Sequence, residues 1–416
     1  MKTILRITFL SLLLIVFSCS KDDAPTPEPM AQPEPEPTPE PVNQAPSQVN
    51  LLAPAADAEN VDVRPTFSWE AATDPDGDAI TYEIYADTTA TPSTLIGTTT
   101  ETNFEVDERL TLLENYSWNV LAKDDKDGES ESTTQGFDTR SIIVSLATTT
   151  APFGKRLFHS LSVFNDKIFV IAGNEKEEGN KNDVWSSSDG VNWDLVTSDA
   201  GFSPRNLLKS FTYDNKLWII GGFTNGVGNT RDIWNSEDGV NWNLIKADVG
   251  FDIQSDSSIL IFDNKIWVIG VDTWFSEDGL VWSLAESNLS RRGAATVFDN
   301  KIWVVGHDSD TNLSFSEDGF SWTLVEPNSN LLLEDSPIVN HGFLTFDNKM
   351  WVLTQGSEIN LFSSRNGTDW ELVSDATGIN VQLFYETIVY NNKIWIVGGN
   401  APGEANNFQD DVWFID

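Results

Sequence analysis

The sequence predicts an all-β protein in which a small sandwich is followed by a closed ring of six four-stranded sheets. Three observations carry this prediction. Residues 47–141 alternate apolar and polar residues in short runs, residues 150–416 repeat a two-part motif, and the last repeat stops one strand short. Period-2 alternation with frequent turn signals is typical of all-β domains, and a motif repeated every few tens of residues indicates stacked or ring-forming units.

Residues 1–18 have the composition of a signal peptide. Lys2 and Arg6 precede an apolar run that is too short to span a bilayer comfortably. The run covers residues 7–17 and is soon followed by Cys19, the one cysteine of the chain, so an intrachain disulfide is excluded. Residues 16–19 resemble a lipobox, which implies an acylated Cys19 that holds the chain at a membrane by lipid. The alternative is an ordinary secretory signal with an incidental cysteine.

Residues 19–46 are predicted to be a tether behind the lipid. Lys21, Asp22 and Asp23 resemble the signal that sends some Gram-negative lipoproteins to the outer face of the outer membrane, which implies a protein facing the cell exterior. From residue 24 onward the tether alternates Pro and Glu. Proline rings and charge repulsion both favour an extended, semi-stiff chain that cannot build a core.

Residues 47–141 predict a two-sheet sandwich, since short alternating strands such as 81–85 are bounded by polar turns. The segment resembles a fibronectin type III domain along its length. Trp69 matches the early core tryptophan, and Leu113 with Tyr116 matches the spacing of the tyrosine corner. The resemblance implies a spacer or adhesion module rather than a catalyst.

The sandwich contains one candidate metal site. Asp74, Asp76 and Asp78 alternate as the carboxylates of calcium loops do. The same Asp-Pro-Asp-Gly-Asp segment is also ordinary turn chemistry between two strands, and it lacks the bidentate Glu of a longer calcium loop. We therefore expect no obligatory cofactor and keep calcium as the one candidate.

Residues 142–416 contain six copies of one unit, here called repeats 1 to 6. Each begins with an aromatic residue, a two-residue Asn/Asp turn, a Lys and a strand with an aromatic at its third position. Asn and Asp tolerate the positive φ that a two-residue hairpin turn requires, so each copy joins two antiparallel strands. The six turns are Asn165-Asp166, Asp214-Asn215, Asp263-Asn264, Asp299-Asn300, Asp347-Asn348 and Asn391-Asn392.

The second half of the unit is Ser-x-Asp-Gly-x-x-Trp, which predicts a second hairpin and hence four strands per repeat. The Asp/Asn and Trp positions are Asp189 and Trp193, Asp238 and Trp242, Asp278 and Trp282, Asp318 and Trp322, and Asn366 and Trp370. Repeat 6 lacks this half and ends after one further strand. Residues 142–146 stand unassigned before repeat 1, and we expect them to supply the missing strand and remove both open edges.

The repeats resemble kelch repeats, notably in residues 216–222 and 393–399, and the Asp-Gly half is similar to the Asp-box of sialidase-type propellers. The resemblance implies a six-bladed β-propeller closed by an N-terminal strand. The kelch resemblance includes galactose oxidase, whose copper chemistry needs a Cys–Tyr crosslink. Since Cys19 is the one cysteine and is assigned to the lipid, this chemistry is excluded. The sequence fixes no sialidase-like set of Arg, Tyr, Glu and Asp, and three His leave little for a metal site or a catalytic triad.

Binding residues are predicted on one face of the ring. The two recurring turns share one face, so the loops between strands two and three and between repeats lie on the other, here called the loop face. These loops vary in length, as binding loops on a rigid scaffold do. Aligning the repeats places His159, His341 and Tyr385 at one equivalent position. The candidate ligand-binding residues are Arg156, His159, Arg205, Arg231, Arg291, Arg292, His341 and Tyr385.

A formal charge of −39 disfavours nucleic acid as a partner. A basic cluster in so acidic a chain suggests an anionic ligand, whereas ion pairing with the many acids is the alternative. We therefore expect a monomeric, lipid-anchored, non-catalytic module that binds a glycan or protein. The alternative function is a carbohydrate-active enzyme that acts on acidic sugars at the mouth of the ring.

Overall fold

In the described residues of the computed structural model every regular element is a β-strand, so the predicted all-β class is confirmed. The structure describes residues 42–416 except 288–292, 307–312, 329–341, 356–357, 380–382 and 402–406. The signal peptide, Cys19, Lys21, Asp22, Asp23 and nearly all of the tether lie outside the described residues. Residues 45–416 form one compact unit. In the described part of the chain, no helix has the length and apolarity to cross a bilayer.

Residues 45–141 form two sheets with their own core. Their strands are β1 (Leu51–Ala53), β2 (Ala58–Val61), β3 (Thr66–Trp69), β4 (Thr81–Asp87), β5 (Leu95–Thr99), β6 (Asn103–Glu105), β7 (Asn115–Lys123), β8 (Glu129–Glu131) and β9 (Gln135–Thr139). One sheet has the order β1-β3-β6 and the other β2-β9-β7-β4-β5, with β8 beside β7. The pairing of β2 with β9 is parallel, and the other pairings are antiparallel.

The core between these sheets is aromatic. Phe67 meets Trp118 edge to face at 5.0 Å, and Trp69 meets Tyr82 at 5.3 Å. Tyr116 stacks on a neighbouring ring, and its hydroxyl accepts a hydrogen bond from the backbone nitrogen of Thr111 at 3.2 Å. Alternate residues of β4 are buried, as expected for a sheet with one face on a core.

Six further sheets follow, one per repeat. Repeat 1 contains β11 (Arg156–Leu157), β12 (Ser160–Phe164), β13 (Lys167–Glu175), β14 (Gly179–Ser187) and β15 (Asp194–Thr197); repeat 2 contains β16 (Lys209–Tyr213), β17 (Lys216–Ile220), a small hairpin of β18 (Phe223–Thr224) and β19 (Gly228–Asn229), β20 (Ile233–Ser236) and β21 (Trp242–Lys246); repeat 3 contains β22 (Ser258–Phe262), β23 (Lys265–Ile269), β24 (Thr273–Ser276) and β25 (Ser283–Glu286).

The later repeats keep the same pattern of four paired strands. Repeat 4 contains β26 (Gly293–Phe298), β27 (Lys301–Gly306), β28 (Leu313–Ser316) and β29 (Trp322–Val325); repeat 5 contains β30 (Phe343–Phe346), β31 (Lys349–Gln355), β32 (Ile359–Ser364) and β33 (Glu371–Ser374); repeat 6 contains β34 (Glu386–Tyr390), β35 (Lys393–Val397) and β36 (Val412–Ile415). The fourth strand of the sixth sheet is β10 (Val144–Thr148), which pairs antiparallel with β36. This strand begins two residues after the start of the predicted segment 142–146.

Local chemistry explains both recurring turns. All twelve Asn and Asp residues of the two-residue turns have φ between 46° and 57°, the left-handed region that a type I′ hairpin needs. In the second turn the Asp189 carboxylate accepts hydrogen bonds from the backbone nitrogens of Val191 and Asn192. Burial opposes ionisation of this carboxyl, but these bonds outweigh it and hold the pKa of Asp189 at about 2.

Consecutive sheets pack through glycine and an aromatic ring. The glycine of each Asp-Gly turn lies so close to the second-strand aromatic of the preceding repeat that a Cβ would overlap the ring. The pairs are Gly239 on Phe169, Gly279 on Trp218, Gly319 on Trp267, Gly367 on Trp303 and Gly190 on Trp395. The last pair joins repeat 1 to repeat 6.

Two tyrosines bond across sheets in the same way. The Tyr213 hydroxyl of repeat 2 donates to the carbonyls of Asn264 and Glu277 in repeat 3. The Tyr390 hydroxyl of repeat 6 makes the equivalent bonds to the carbonyls of Asp166 and Ser188 in repeat 1. The first strand of each repeat also touches the first strand of the next repeat, in the order β12, β16, β22, β26, β30 and β34, and β34 touches β12.

The sandwich contacts repeats 5 and 6 where repeat 6 lacks an Asp-Gly turn. Trp351 is fully buried, although none of the turn glycines in the described residues lies on it, and it belongs to one hydrophobic cluster with Val63 and Leu112. The backbone nitrogen of Leu112 donates to the carboxylate of Asp347, and Lys349 Nζ donates to the Leu112 carbonyl at 3.3 Å. The sandwich therefore covers the indole of Trp351, which the hairpin missing from repeat 6 would otherwise cover.

Charged groups surround this junction. Glu114 of the sandwich accepts from Lys349 Nζ at 2.8 Å and from Arg365 Nε at 3.0 Å. Arg109 Nη1 donates to the Asn392 carbonyl at 2.8 Å and lies 3.4 Å from Asp416 Oδ1. Leu113, expected in the tyrosine corner, packs against the cluster around Trp351.

Candidate functional site

Arg156 and Arg205 are 1% exposed and pair with carboxylates of their own repeats. The Arg156 guanidinium donates to both oxygens of Asp183 at 3.0 and 3.1 Å. The Arg205 guanidinium donates to both oxygens of Asp232 at 2.7 and 2.9 Å. Neither guanidinium is exposed to solvent. Both therefore form ion pairs with acids of the chain, which was the alternative to binding an anionic ligand. The pairs form within repeats rather than between them.

The two arginines have equivalent surroundings. Each lies over a phenylalanine ring, Arg156 over Phe153 at 5.5 Å and Arg205 over Phe202 at 5.4 Å. In repeat 2, Trp234 Nε1 also donates to the carboxylate of Asp232, as the equivalent tryptophan does in repeat 1. Burial opposes ionisation of Asp232, but Arg205 outweighs it, and the pKa of this carboxyl is lowered. Phe, Arg, Asp and Trp thus form one buried unit.

His159 and Tyr385, which were predicted to bind a ligand on the loop face, are buried. His159 is fully buried; a Cβ at Gly173 would collide with it, and a Cβ at Gly398 would lie 3.0 Å from its ring. Tyr385 is 4% exposed within a hydrophobic cluster, and burial raises the pKa of its hydroxyl. His341, Arg291 and Arg292 lie outside the described residues.

Arg231 is the exposed member of the predicted set. Its side chain is 42% exposed, and its Nη2 lies 3.0 Å from Asp248 Oδ2. It lines a cavity of about 320 Å³ together with the loop before repeat 3 and the residues around Asp272. Phe251 and Trp274 in the wall of this cavity are stacked, with ring centroids 4.4 Å apart and planes at 5°. This cavity is built entirely from loop-face segments and the strand residues next to them.

A second cavity of about 160 Å³ is lined by the first strands of all six repeats. Sequence reasoning missed its two charged residues, Lys209 and Glu386. Both occupy the position four residues before the turn aromatic, where the other repeats have Ser, Ser, Ala and Gly. Lys209 is buried and its Nζ donates to the Ser255 carbonyl at 2.9 Å. Burial lowers the pKa of Lys209, against the opposing influence of Glu386 and Asp256. The signal was a charge at a position otherwise occupied by small residues.

The candidate calcium residues do come together. Ligand oxygens of Asp74, Asp76 and Asp78 all lie within 4.8 Å of one another. The backbone nitrogens of Asp76 and Asp78 donate to Asp74 Oδ1, which is the turn chemistry expected without a metal. The Lys126 ammonium lies 3.8 Å from Asp78 Oδ1. Burial raises the pKa of Asp78, and nearby carboxylates add to the effect of burial, so a cation would relieve their repulsion. Calcium stays a prediction.

Comparison with known proteins gives the chain no family. No family model matches it, and no curated protein does. Among solved structures it is similar to one titled "Structure of YjhT", with a TM-score of 0.49 and 13% sequence identity over 64% of this chain and 96% of that chain. At these values the similarity carries no argument about function.

Proposed function

We propose that residues 142–416 form a six-bladed, kelch-like β-propeller closed by β10, and that its loop face binds a glycan or protein ligand without catalysing a reaction. Three contacts support the closed ring. Repeat 1 packs on repeat 6 through Gly190 and Trp395 as the consecutive repeats do. Tyr390 joins these repeats with the bonds that Tyr213 makes between repeats 2 and 3. First strand β34 touches β12.

The observation that carries the binding role is the position of two cavities among the described residues of the repeats. The cavity beside Arg231 is walled by loop-face segments of repeats 2 and 3. The cavity beside Lys209 and Glu386 lies at the start of the first strands, and this end also joins the loop face. On the opposite face the recurring turns share one sequence pattern, and the sandwich contacts the turns of repeats 5 and 6. A rigid ring with concave, polar sites on its variable face is the arrangement of a recognition module.

We further propose that a fibronectin-like sandwich and a lipid on Cys19 hold this module at the outer face of the outer membrane. The hydrogen bond between Tyr116 and Thr111 supports the type III resemblance of residues 47–141. The formal charge of −39 supports an exposed, soluble display rather than contact with anionic lipid or nucleic acid. The Pro/Glu stretch after residue 24 supports a tether that extends from the membrane.

The test compares an exposed cation of the loop face with a partly buried cation of the turn face. Arg231→Ser alters the loop face, and Lys216→Ser alters the turn face, where Lys216 pairs with Glu237 at 3.0 Å. The chain without its signal peptide is screened on a glycan array and against envelope extract, and captured molecules are identified and titrated individually. We expect a ligand whose affinity falls in Arg231→Ser and is unchanged in Lys216→Ser. An equal effect of both variants, or no ligand in either screen, would contradict the proposal. Turnover of glycosides or uronate polymers would replace it with the enzymatic alternative.

A further inference from the structure

Three repeats hold a large apolar residue in a strained conformation just before the first strand, at the loop face. Phe158, Leu207 and Phe384 each lie six residues before the turn aromatic, in repeats 1, 2 and 6, and two residues before the first strand begins. Their φ angles are 56°, 56° and 59°. A positive φ is unfavourable for a bulky residue, and strained backbone of this kind is concentrated at functional sites. The conformation therefore points to a role beyond turn formation.

These three side chains do not serve a core. Each is partly buried, and none is part of a hydrophobic cluster of the described residues. The rings of Phe158 and Phe384 contact each other, with centroids 4.6 Å apart and planes at 51°. The backbone nitrogen of Leu207 donates to the Phe158 carbonyl at 3.0 Å. The three residues, here called the apolar arc, thus form a partly exposed surface that joins repeats 6, 1 and 2.

A buried ammonium reaches the level of this arc. Lys209 lines the cavity of about 160 Å³, and its Nζ donates to the carbonyl of Ser255 at 2.9 Å. Ser255 lies three residues before the first strand of repeat 3, so its carbonyl is at the same end of the repeat as the arc. An ammonium has three N–H donors. Among the described residues the Ser255 carbonyl is the one acceptor that Lys209 has, which leaves two donors for acceptors of a ligand.

Charges of both signs lie beside this ammonium. Glu386 and Asp256 are close enough to Lys209 to oppose the lowering of its pKa by burial. An anionic ligand would be repelled by these carboxylates, and a cationic ligand would be repelled by Lys209. The surroundings therefore favour an uncharged ligand, in contrast to the anionic ligand expected from the loop arginines. Apolar walls with a few polar groups that fix orientation are typical of small-molecule sites.

We propose that the apolar arc and Lys209, here called the rim site, bind an uncharged sugar ring of a glycan. A sugar ring has a face of C–H groups, whose partial positive charge is attracted to the negative face of an aromatic ring. Its hydroxyl oxygens lie around the edge and can accept hydrogen bonds from Lys209. This inference rests on the proposed binding role of the loop face, and it adds the class of ligand and the residues that contact it.

The experiment titrates uncharged tetrasaccharides of glucose, mannose, galactose and xylose into the chain without its signal peptide by calorimetry. Tetragalacturonate is the anionic probe. Phe158→Gly and Phe384→Gly separate binding from packing, because glycine adopts a positive φ without strain. We expect saturable binding of at least one uncharged tetrasaccharide. Its affinity should fall about tenfold or more in each glycine variant and in Lys209→Met, whereas the melting temperature of the glycine variants should not fall.

Two variants serve as controls for the loss of an apolar side chain and of a lysine. Leu244→Ala removes an exposed leucine of β21, and Lys216→Met removes a lysine of the turn face. Neither should change the affinity for the tetrasaccharide. Circular dichroism checks that each variant is folded.

Several outcomes would overturn the inference. These are no saturable binding of an uncharged tetrasaccharide, unchanged affinity in the glycine variants, or tighter binding of tetragalacturonate. A clear fall in the melting temperature of the glycine variants would assign the apolar arc to packing, and capture of a protein through Phe158 without sugar binding would make it a protein-docking surface. If no tetrasaccharide binds but a captured ligand depends on Arg231, the rim site alone fails. If a tetrasaccharide binds through Phe158 but Arg231→Ser and Lys216→Ser have equal effects, the proposed function fails instead.

Discussion

Replacing Arg205 with methionine should destabilise the fold rather than weaken a binding surface. Arg205 is 1% exposed, and its guanidinium also donates to the Gly221 and Ser203 carbonyls at 2.9 and 3.0 Å. Methionine keeps much of the packing volume but leaves the Asp232 carboxylate with the Trp234 indole as its remaining side-chain donor. Removing one partner of a buried ion pair costs about 3–5 kcal/mol, because a charge remains without compensation.

The assay is urea unfolding followed by tryptophan fluorescence, with two comparisons. Arg231→Met removes an exposed pair and should cost about 1 kcal/mol or less. Combining Arg205→Met with Asp232→Leu should recover much of the loss, since no unpaired charge is left. Equal effects of Arg205→Met and Arg231→Met, or no recovery in the double variant, would refute the assignment of Arg205 to the core of repeat 2.

Three further predictions concern the junction, the pH dependence and the anchor. Leu112→Asp should lower the free energy of unfolding by about 3 kcal/mol or more, because it places a carboxylate in the cluster that covers Trp351; the exposed Leu52→Asp is the control, and equal melting temperatures would contradict the prediction. Asp411→Asn should stabilise the protein at neutral pH, because burial, with Asp410 adding to its effect, raises the pKa of Asp411 and makes its ionised form unfavourable in the fold. This gain in stability should vanish below the ordinary aspartate pKa. Asp232 occupies the same position in repeat 2 but has a lowered pKa, so Asp232→Asn should destabilise the protein instead. Cys19→Ala should release the protein from the membrane, and external protease should cut the tether of intact cells only while Cys19 is acylated; resistance of the membrane-bound wild type would place it facing the periplasm.

The strand pattern was predictable because its signals are local. The Asn/Asp pairs and the Ser-x-Asp-Gly segments adopt their turns through bonds within a few residues, as at Asp189. The contribution of β10 could be anticipated for a different reason: repeat 6 was one strand short, and an unassigned segment preceded repeat 1. Both inferences depend on counting and turn chemistry, so neither needed knowledge of side-chain packing.

The candidate site was less predictable, because the role of a charged residue depends on partners distant in sequence. Arg156 and Arg205 were interpreted as ligand contacts from their position in variable loops, yet each pairs with an aspartate 27 residues later. A signal was present in the sequence, since an Asp-x-Trp segment follows at the same distance in both repeats.

The junction between sandwich and repeats follows from how the sixth sheet is completed. Taking the final strand from residues 144–148 leaves repeat 6 without an Asp-Gly hairpin, and therefore without the glycine that covers the second-strand aromatic in the other repeats. The residues that precede β10 must come from the sandwich, so the sandwich is necessarily close to the uncovered Trp351. Leu112 and Val63 bury that indole ring, and Glu114 pairs with both the lysine and the arginine beside it. The sandwich, which the type III resemblance implied to be a spacer or adhesion module, thereby packs directly against repeats 5 and 6.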